Sequence, residues 1–139
     1  MRKKIGIGAE GLIHKNFADL LRVREYLNQI NCVFWSYNAA GEKRTPITGA
    51  LLKAKGLKTG QADYTFYYQN RNSYTVNILF LEFKAKKGKQ SESQKDFASK
   101  FENKNNVNYE VCYSVNEAVT VLEKFGIMKV FRKVWHEDD

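Results

Sequence analysis

Residues 76–85 read VNILFLEFKA, and this run constrains the fold more than any other part of the chain. In a strand, alternate side chains share a face. Leu79, Leu81 and Phe83 then lie on one side, and Ile78, Phe80 and Glu82 on the other, so both sides are apolar until the strand emerges. Such a strand belongs in the middle of a sheet that is covered on both faces. Its tip carries a carboxylate and an ammonium two residues apart, Glu82 and Lys84. Charges in that position are costly unless they pair or bind something. Taken alone, Glu-x-Lys is a weak motif, better explained as a partly exposed ion pair at a strand end than as catalysis.

The flanking sequence supplies the other layers. Over 10–30, Ile13, Phe17, Leu20, Leu21, Leu27 and Ile30 recur at helical spacing, with Asn31 as the expected stop. CVFWSY at 32–37 reads as a strand, and a polar turn follows at 38–43. Thr45 is placed to cap a second helix that opens on Pro46 and stops at Gly56. Residues 63–68 and 76–85 read as two strands joined by the polar loop 69–74. Residues 91–101 read as a helix with a Ser91/Gln94 capping box, 109–114 as a strand, and 116–125 as a helix capped by Asn116 and ended by Gly126. The order of elements predicts an α/β fold, a central mixed β-sheet flanked by helices, in one domain over 1–139.

Charge and cysteine content narrow the class of partner. The chain carries 23 Lys and Arg against 15 Asp and Glu, a formal charge of +8, which favours a polyanionic partner. Cys32 and Cys112 lie in apolar, β-rich segments without CxxC spacing, so neither a zinc site nor a disulfide framework is expected. No apolar run approaches the roughly 20 residues needed to cross a bilayer, and MRKKIGIG has no signal-peptide core. A cytosolic protein is expected.

Asp63 changes the weight of the Glu-x-Lys strand. It closes the segment GLKTGQAD and begins the strand that most naturally pairs with 76–85 as a hairpin. A register that puts both at the same end brings Asp63 beside Glu82. Two carboxylates and a backbone carbonyl, that of Phe83, suit Mg²⁺ or Mn²⁺, hard ions that take oxygen ligands. Such an ion neutralises a phosphate and lowers the pKa of an attacking water. Lys84 is placed to orient that water or to stabilise developing charge.

With these motifs in order, the chain resembles the PD-(D/E)XK nuclease superfamily, and within it the virus-type replication-repair nuclease (VRR-NUC) family. The likeness rests on WSYNAAGEKR followed by GLKTGQAD, on LEFKAKKGKQSESQ, and on YEVCYSVNEAVTVL, and runs from about Trp35 to Leu122. It implies a PD-(D/E)XK restriction-endonuclease-like core with Asp63 and Glu82 as metal ligands and Lys84 as the catalytic lysine. Gln94 matches a glutamine that supports the active site, and Glu10 an acidic residue that reaches the metal through water. Two positions depart from the family pattern. Ala62 stands where a proline usually precedes the aspartate. His14 stands four residues after Glu10, where relatives often have glutamine. On a helix His14 shares the face of Glu10, within reach of substrate or metal, although a packed or surface histidine is the plainer reading.

The resemblance further implies a stand-alone metal-dependent DNA endonuclease of the small phage type, in the cytoplasm of a bacterial or phage-infected cell. It would be a homodimer acting on branched DNA such as four-way junctions. Lys58, Lys86, Lys87 and Lys89, with Arg44 and His14, are the candidate DNA contacts, and lysines of this kind position a phosphate backbone without reading bases. His136 reads as incidental. Two rival readings stand beside this one: a non-catalytic DNA-binding module of the same fold, and a nuclease acting on flaps, linear duplex or single strands.

Overall fold

A computed structural model describes residues 8–38, 45–69, 74–85 and 88–130. The elements are α1 (Ala9–Tyr26), β1 (Phe34–Tyr37), α2 (Pro46–Ala54), β2 (Tyr64–Gln69), β3 (Val76–Phe83), α3 (Glu92–Ser99), β4 (Val107–Cys112) and α4 (Val115–Lys124). The strands form one mixed sheet in the order β1-β2-β3-β4. β1 and β3 each run antiparallel to β2, and β4 runs parallel to β3. A parallel neighbour needs a crossover, which α3 provides. The fold is thus α/β, and the doubly apolar strand β3 lies inside the sheet, as its sequence requires.

Helices cover both sheet faces. Leu79, Leu81 and Phe83 of β3 join Tyr64, Phe66 and Tyr68 of β2 in a core closed by Phe17 and Leu21 of α1 and by Ala118 and Leu122 of α4. On the other face Phe80 meets Phe97 and Phe101 with ring centroids 5.0 and 4.8 Å apart. Edge-on and tilted contacts of this kind add to the roughly 1.5–3 kcal/mol that burying each large apolar side chain contributes. Glu82 follows Phe80 on this second face and is completely buried.

Several element boundaries differ from the sequence reading: β1 starts at Phe34 rather than 32, β3 ends at Phe83 rather than 85 and α3 at Ser99 rather than 101, and α1 and the α4 cap differ for local reasons. α1 ends at Tyr26 rather than running to residue 30, because Asn28 adopts a left-handed backbone with φ 57°. Ile30 leaves the helical stripe and forms a bridge with Met128 instead. α4 is capped by Ser114 rather than Asn116: the Ser114 hydroxyl accepts from the Glu117 N–H, and the Glu117 carboxylate accepts from the Tyr113 N–H in return. β4 begins at Val107, two residues before its aromatic signal. The Thr45 cap with Pro46, the Ser91/Gln94 capping box and the Gly56 and Gly126 stops lie where the sequence puts them.

Candidate active site

The pairing of Tyr64 with Leu81 brings Asp63, one residue earlier, opposite Glu82, one residue later. Asp63 is held at both ends. Its carbonyl accepts from the Asn38 N–H at 2.7 Å, and its Oδ2 accepts from the Phe83 N–H at 2.8 Å. Successive residues of a strand aim their backbone groups at opposite neighbours. The Lys84 N–H donates to the Cys112 carbonyl of β4 at 2.9 Å, so the N–H and C=O of Phe83 face the β2 side, toward Asp63. Asp63, Glu82 and the Phe83 carbonyl therefore share one end of the β2–β3 ladder. Lys84 is half-buried one residue beyond the end of β3.

Both carboxyls are in places that oppose their charge. Burial pushes Asp63 above its ordinary range, and the Glu10 charge adds to this, while the Phe83 N–H, His14 and Lys84 work against it. Burial also raises Glu82, with the Asp63 charge behind it, offset in part by the Tyr109 hydroxyl, Lys84 and Gln90. Gln90 Nε2 approaches Glu82 Oε2 at 3.5 Å, the long end of hydrogen-bonding distance. Glu82 Oε1 and the Tyr109 hydroxyl are both buried and neither makes a hydrogen bond of good geometry. A buried carboxylate oxygen without a partner, beside a second carboxylate, is costly while charged and is relieved by a proton or by a cation.

The donor chemistry fits a hard divalent ion held through Asp63, Glu82 and the Phe83 carbonyl, with water completing the shell. Among the described residues no three acidic, thiol or imidazole side chains converge as a ready-made cluster. Glu10 is exposed in the first turn of α1, and its charge adds to the upward push on Asp63. His14 points at Asp63, with Nε2 4.0 Å from Oδ2. Burial pushes the Cys32 thiol up to about 11 and the Cys112 thiol up to about 12.

Other expected residues lie elsewhere. Gln94 Oε1 accepts from the Ser91 N–H at 2.8 Å and closes its own helix, so the glutamine that reaches Glu82 is Gln90. Lys58 and Lys89 are exposed. Lys58 lines a groove of about 610 Å³ with Lys53 and Lys100, floored by Leu57, Phe97 and Phe101. Arg44, Lys86, Lys87 and His136 lie outside the described residues.

Three supporting residues carry no signal in the sequence pattern. Tyr109 reads there only as part of an apolar strand. Gln90 reads as loop, four residues from the glutamine that the family pattern selects. Asn38 reads as a turn residue, yet its side-chain amide donates to the Ala62 carbonyl at 3.0 Å and to Thr65 Oγ1 at 2.9 Å, which fixes the approach to Asp63. No helix among the described residues is long and apolar enough to cross a membrane. Comparison with protein-family models, with curated proteins and with solved structures finds no match to this chain.

Proposed function

We propose that this chain is a metal-dependent DNA endonuclease of the PD-(D/E)XK type that hydrolyses phosphodiester bonds, with branched DNA as its preferred substrate. The observation that carries the reading is the pair Asp63 and Glu82, opposed across β2 and β3 with Lys84 next to them. Both carboxyls are raised by burial, and Glu82 Oε1 is left unpaired. An acidic pair that is only partly compensated costs stability while charged, and a cation bound between the two carboxylates would relieve that cost.

A bound Mg²⁺ or Mn²⁺ supplies charge neutralisation at the phosphate and a more acidic water. The protein's own work is positioning and proton handling. Asp63 and Glu82 hold fixed orientations through the Phe83 N–H and Gln90. Lys84 would orient the attacking water and stabilise charge on the phosphoryl oxygens as the new P–O bond forms and the ester P–O bond breaks, the water losing a proton and the leaving oxygen taking one up. In a homodimer, two such centres related by a dyad would meet two strands of a four-way junction symmetrically.

One observation favours a second reading, a DNA-binding module without turnover: the absence of a three-residue metal cluster among the described residues. Incubation of a labelled four-way junction, a flap and their component duplexes with Mn²⁺ and with EDTA separates the two. Cleavage in Mn²⁺ alone, fastest on the junction, is expected. Metal-independent binding with no cleavage of any substrate overturns the enzyme reading. Equal rates on junction and duplex remove the junction preference and leave a general nuclease.

A further inference from the structure

Glu10 and His14 stand about one turn apart on α1, and only His14 turns inward, its side chain 14% exposed. The imidazole is walled in by Tyr37, Tyr64 and Phe83, with ring centroids at 5.3, 5.7 and 5.5 Å. The Tyr64 hydroxyl donates to the His14 carbonyl at 3.2 Å and ties this turn of the helix to β2. The ring therefore has little freedom to turn away from Asp63, whose Oδ2 is in turn fixed by the Phe83 N–H. Its orientation comes from this packing rather than from the second hydrogen bond that ligating imidazoles usually make, because Nδ1 is buried with no partner.

The separation of Nε2 from Asp63 Oδ2 is 4.0 Å, too long for a hydrogen bond. It is a span that one ion closes. With metal–donor bonds of about 2.1 Å, two donors on an octahedral ion sit roughly 3 Å apart when adjacent and roughly 4.2 Å apart when opposite.

We propose that His14 supplies a nitrogen ligand to a cation held by Asp63, across the 4.0 Å between Nε2 and Oδ2, and biases that centre toward a first-row transition ion, Mn²⁺ or a later member of the series, over Mg²⁺. The proposal rests on the reading of that centre as metal-dependent. Mg²⁺ takes oxygen donors and holds its water tightly, whereas imidazole favours the transition ions in rising order from Mn²⁺. An all-oxygen centre would leave Mg²⁺ and Mn²⁺ closer in affinity.

Calorimetric titration with Mn²⁺ and Mg²⁺ of the wild type, His14→Gln and His14→Ala tests it, together with pulsed electron paramagnetic resonance of the Mn²⁺-loaded proteins. The wild type should show coupling of Mn²⁺ to an imidazole nitrogen that is absent in His14→Gln. Mn²⁺ affinity should fall about tenfold or more in both variants while Mg²⁺ affinity changes little. Bound Mn²⁺ without nitrogen coupling in the wild type overturns the proposal and leaves the carboxylate centre standing. Coupling that survives His14→Gln but disappears in His136→Gln also overturns it. Failure of the wild type to bind Mn²⁺ at all overturns both this proposal and the metal-dependent reading beneath it.

Discussion

Lys84 acts on both carboxyls at once: its charge lowers the pKa of Asp63 and of Glu82 against the upward push of burial. Lys84→Ala should lower cleavage by about 10²–10⁴-fold, the range that a positioned proton donor or acceptor contributes, while Mn²⁺ and DNA binding persist. Turnover within a few-fold of wild type would remove the lysine from the mechanism. Glu82 makes a different point, about stability. Its carboxyl is fully buried and its pKa is raised from an ordinary 4.5, so the folded protein holds that proton to higher pH than the unfolded chain does. Protonation then favours the fold. The stability it confers is complete below 4.5 and is lost as pH rises through the raised folded value, and the same sign holds for Asp63 above its ordinary 3.8. In EDTA, Glu82→Gln should melt at a higher temperature than wild type at pH 7, and the difference should shrink toward pH 4. A lower melting temperature for Glu82→Gln at pH 7 would show that the buried charge is compensated after all. Added Mn²⁺ should raise the wild-type melting temperature and leave the variant's nearly unmoved.

At the level of elements, the loop that delivers Asp63 is braced against α3 at one point. Gly60 has φ +88°, and a Cβ built there would lie 2.3 Å from the Ser93 carbonyl oxygen, a backbone atom that cannot swing aside. Gly60→Ala should therefore cost on the order of 1–3 kcal/mol for the backbone conformation alone, more with the clash, and should weaken metal binding by shifting Asp63. Urea denaturation reads the first effect and calorimetry the second; an unchanged midpoint would mean that α3 can move away at no cost. The sequence made this loop visible as GLKTGQAD but not its contact, because close approach between distant segments leaves no periodic trace. Elements whose signal is local were legible: the Thr45 and Ser91 caps, the Gly56 and Gly126 stops, and the doubly apolar β3. Where two local signals compete, sequence alone does not decide between them. Ser114 outbid Asn116 for the cap through its exchange with Glu117, and Asn28 ended α1 inside an unbroken apolar stripe. Asp63, Glu82 and Lys84 were legible because strand period and hairpin pairing bring them together. Gln90, Tyr109 and Asn38 were not, because their roles depend on where a loop, a parallel strand and a turn happen to pass.

Across the whole molecule, the formal charge of +8 is spread over many lysines, three of which line one groove. Lys53 and Lys58 line the groove between the end of α2 and α3 with Lys100, and among the described residues only Lys100 is paired there, to Asp96 at 3.3 Å. Lys58 lies in the same loop as Gly60 and Asp63, and the groove reaches along that loop as far as Gln61, two residues before Asp63. A DNA strand leaving the centre along this path would place phosphates against Lys53 and Lys58, contacts that fix the backbone and read no sequence. Each phosphate neutralised releases condensed counterions and steepens the log–log dependence of affinity on salt by about 0.9 for duplex DNA. Lys53→Gln with Lys58→Gln, built on Lys84→Ala so that no strand is cut, should therefore flatten that slope by about 1.8 and weaken binding to the same degree on unrelated sequences. Fluorescence anisotropy over a salt series in EDTA measures both. A slope unchanged by the double substitution would place the DNA on another face and detach the groove from the active site. A slope that flattens for duplex but not for junction would mean that the junction contacts a different set of cations.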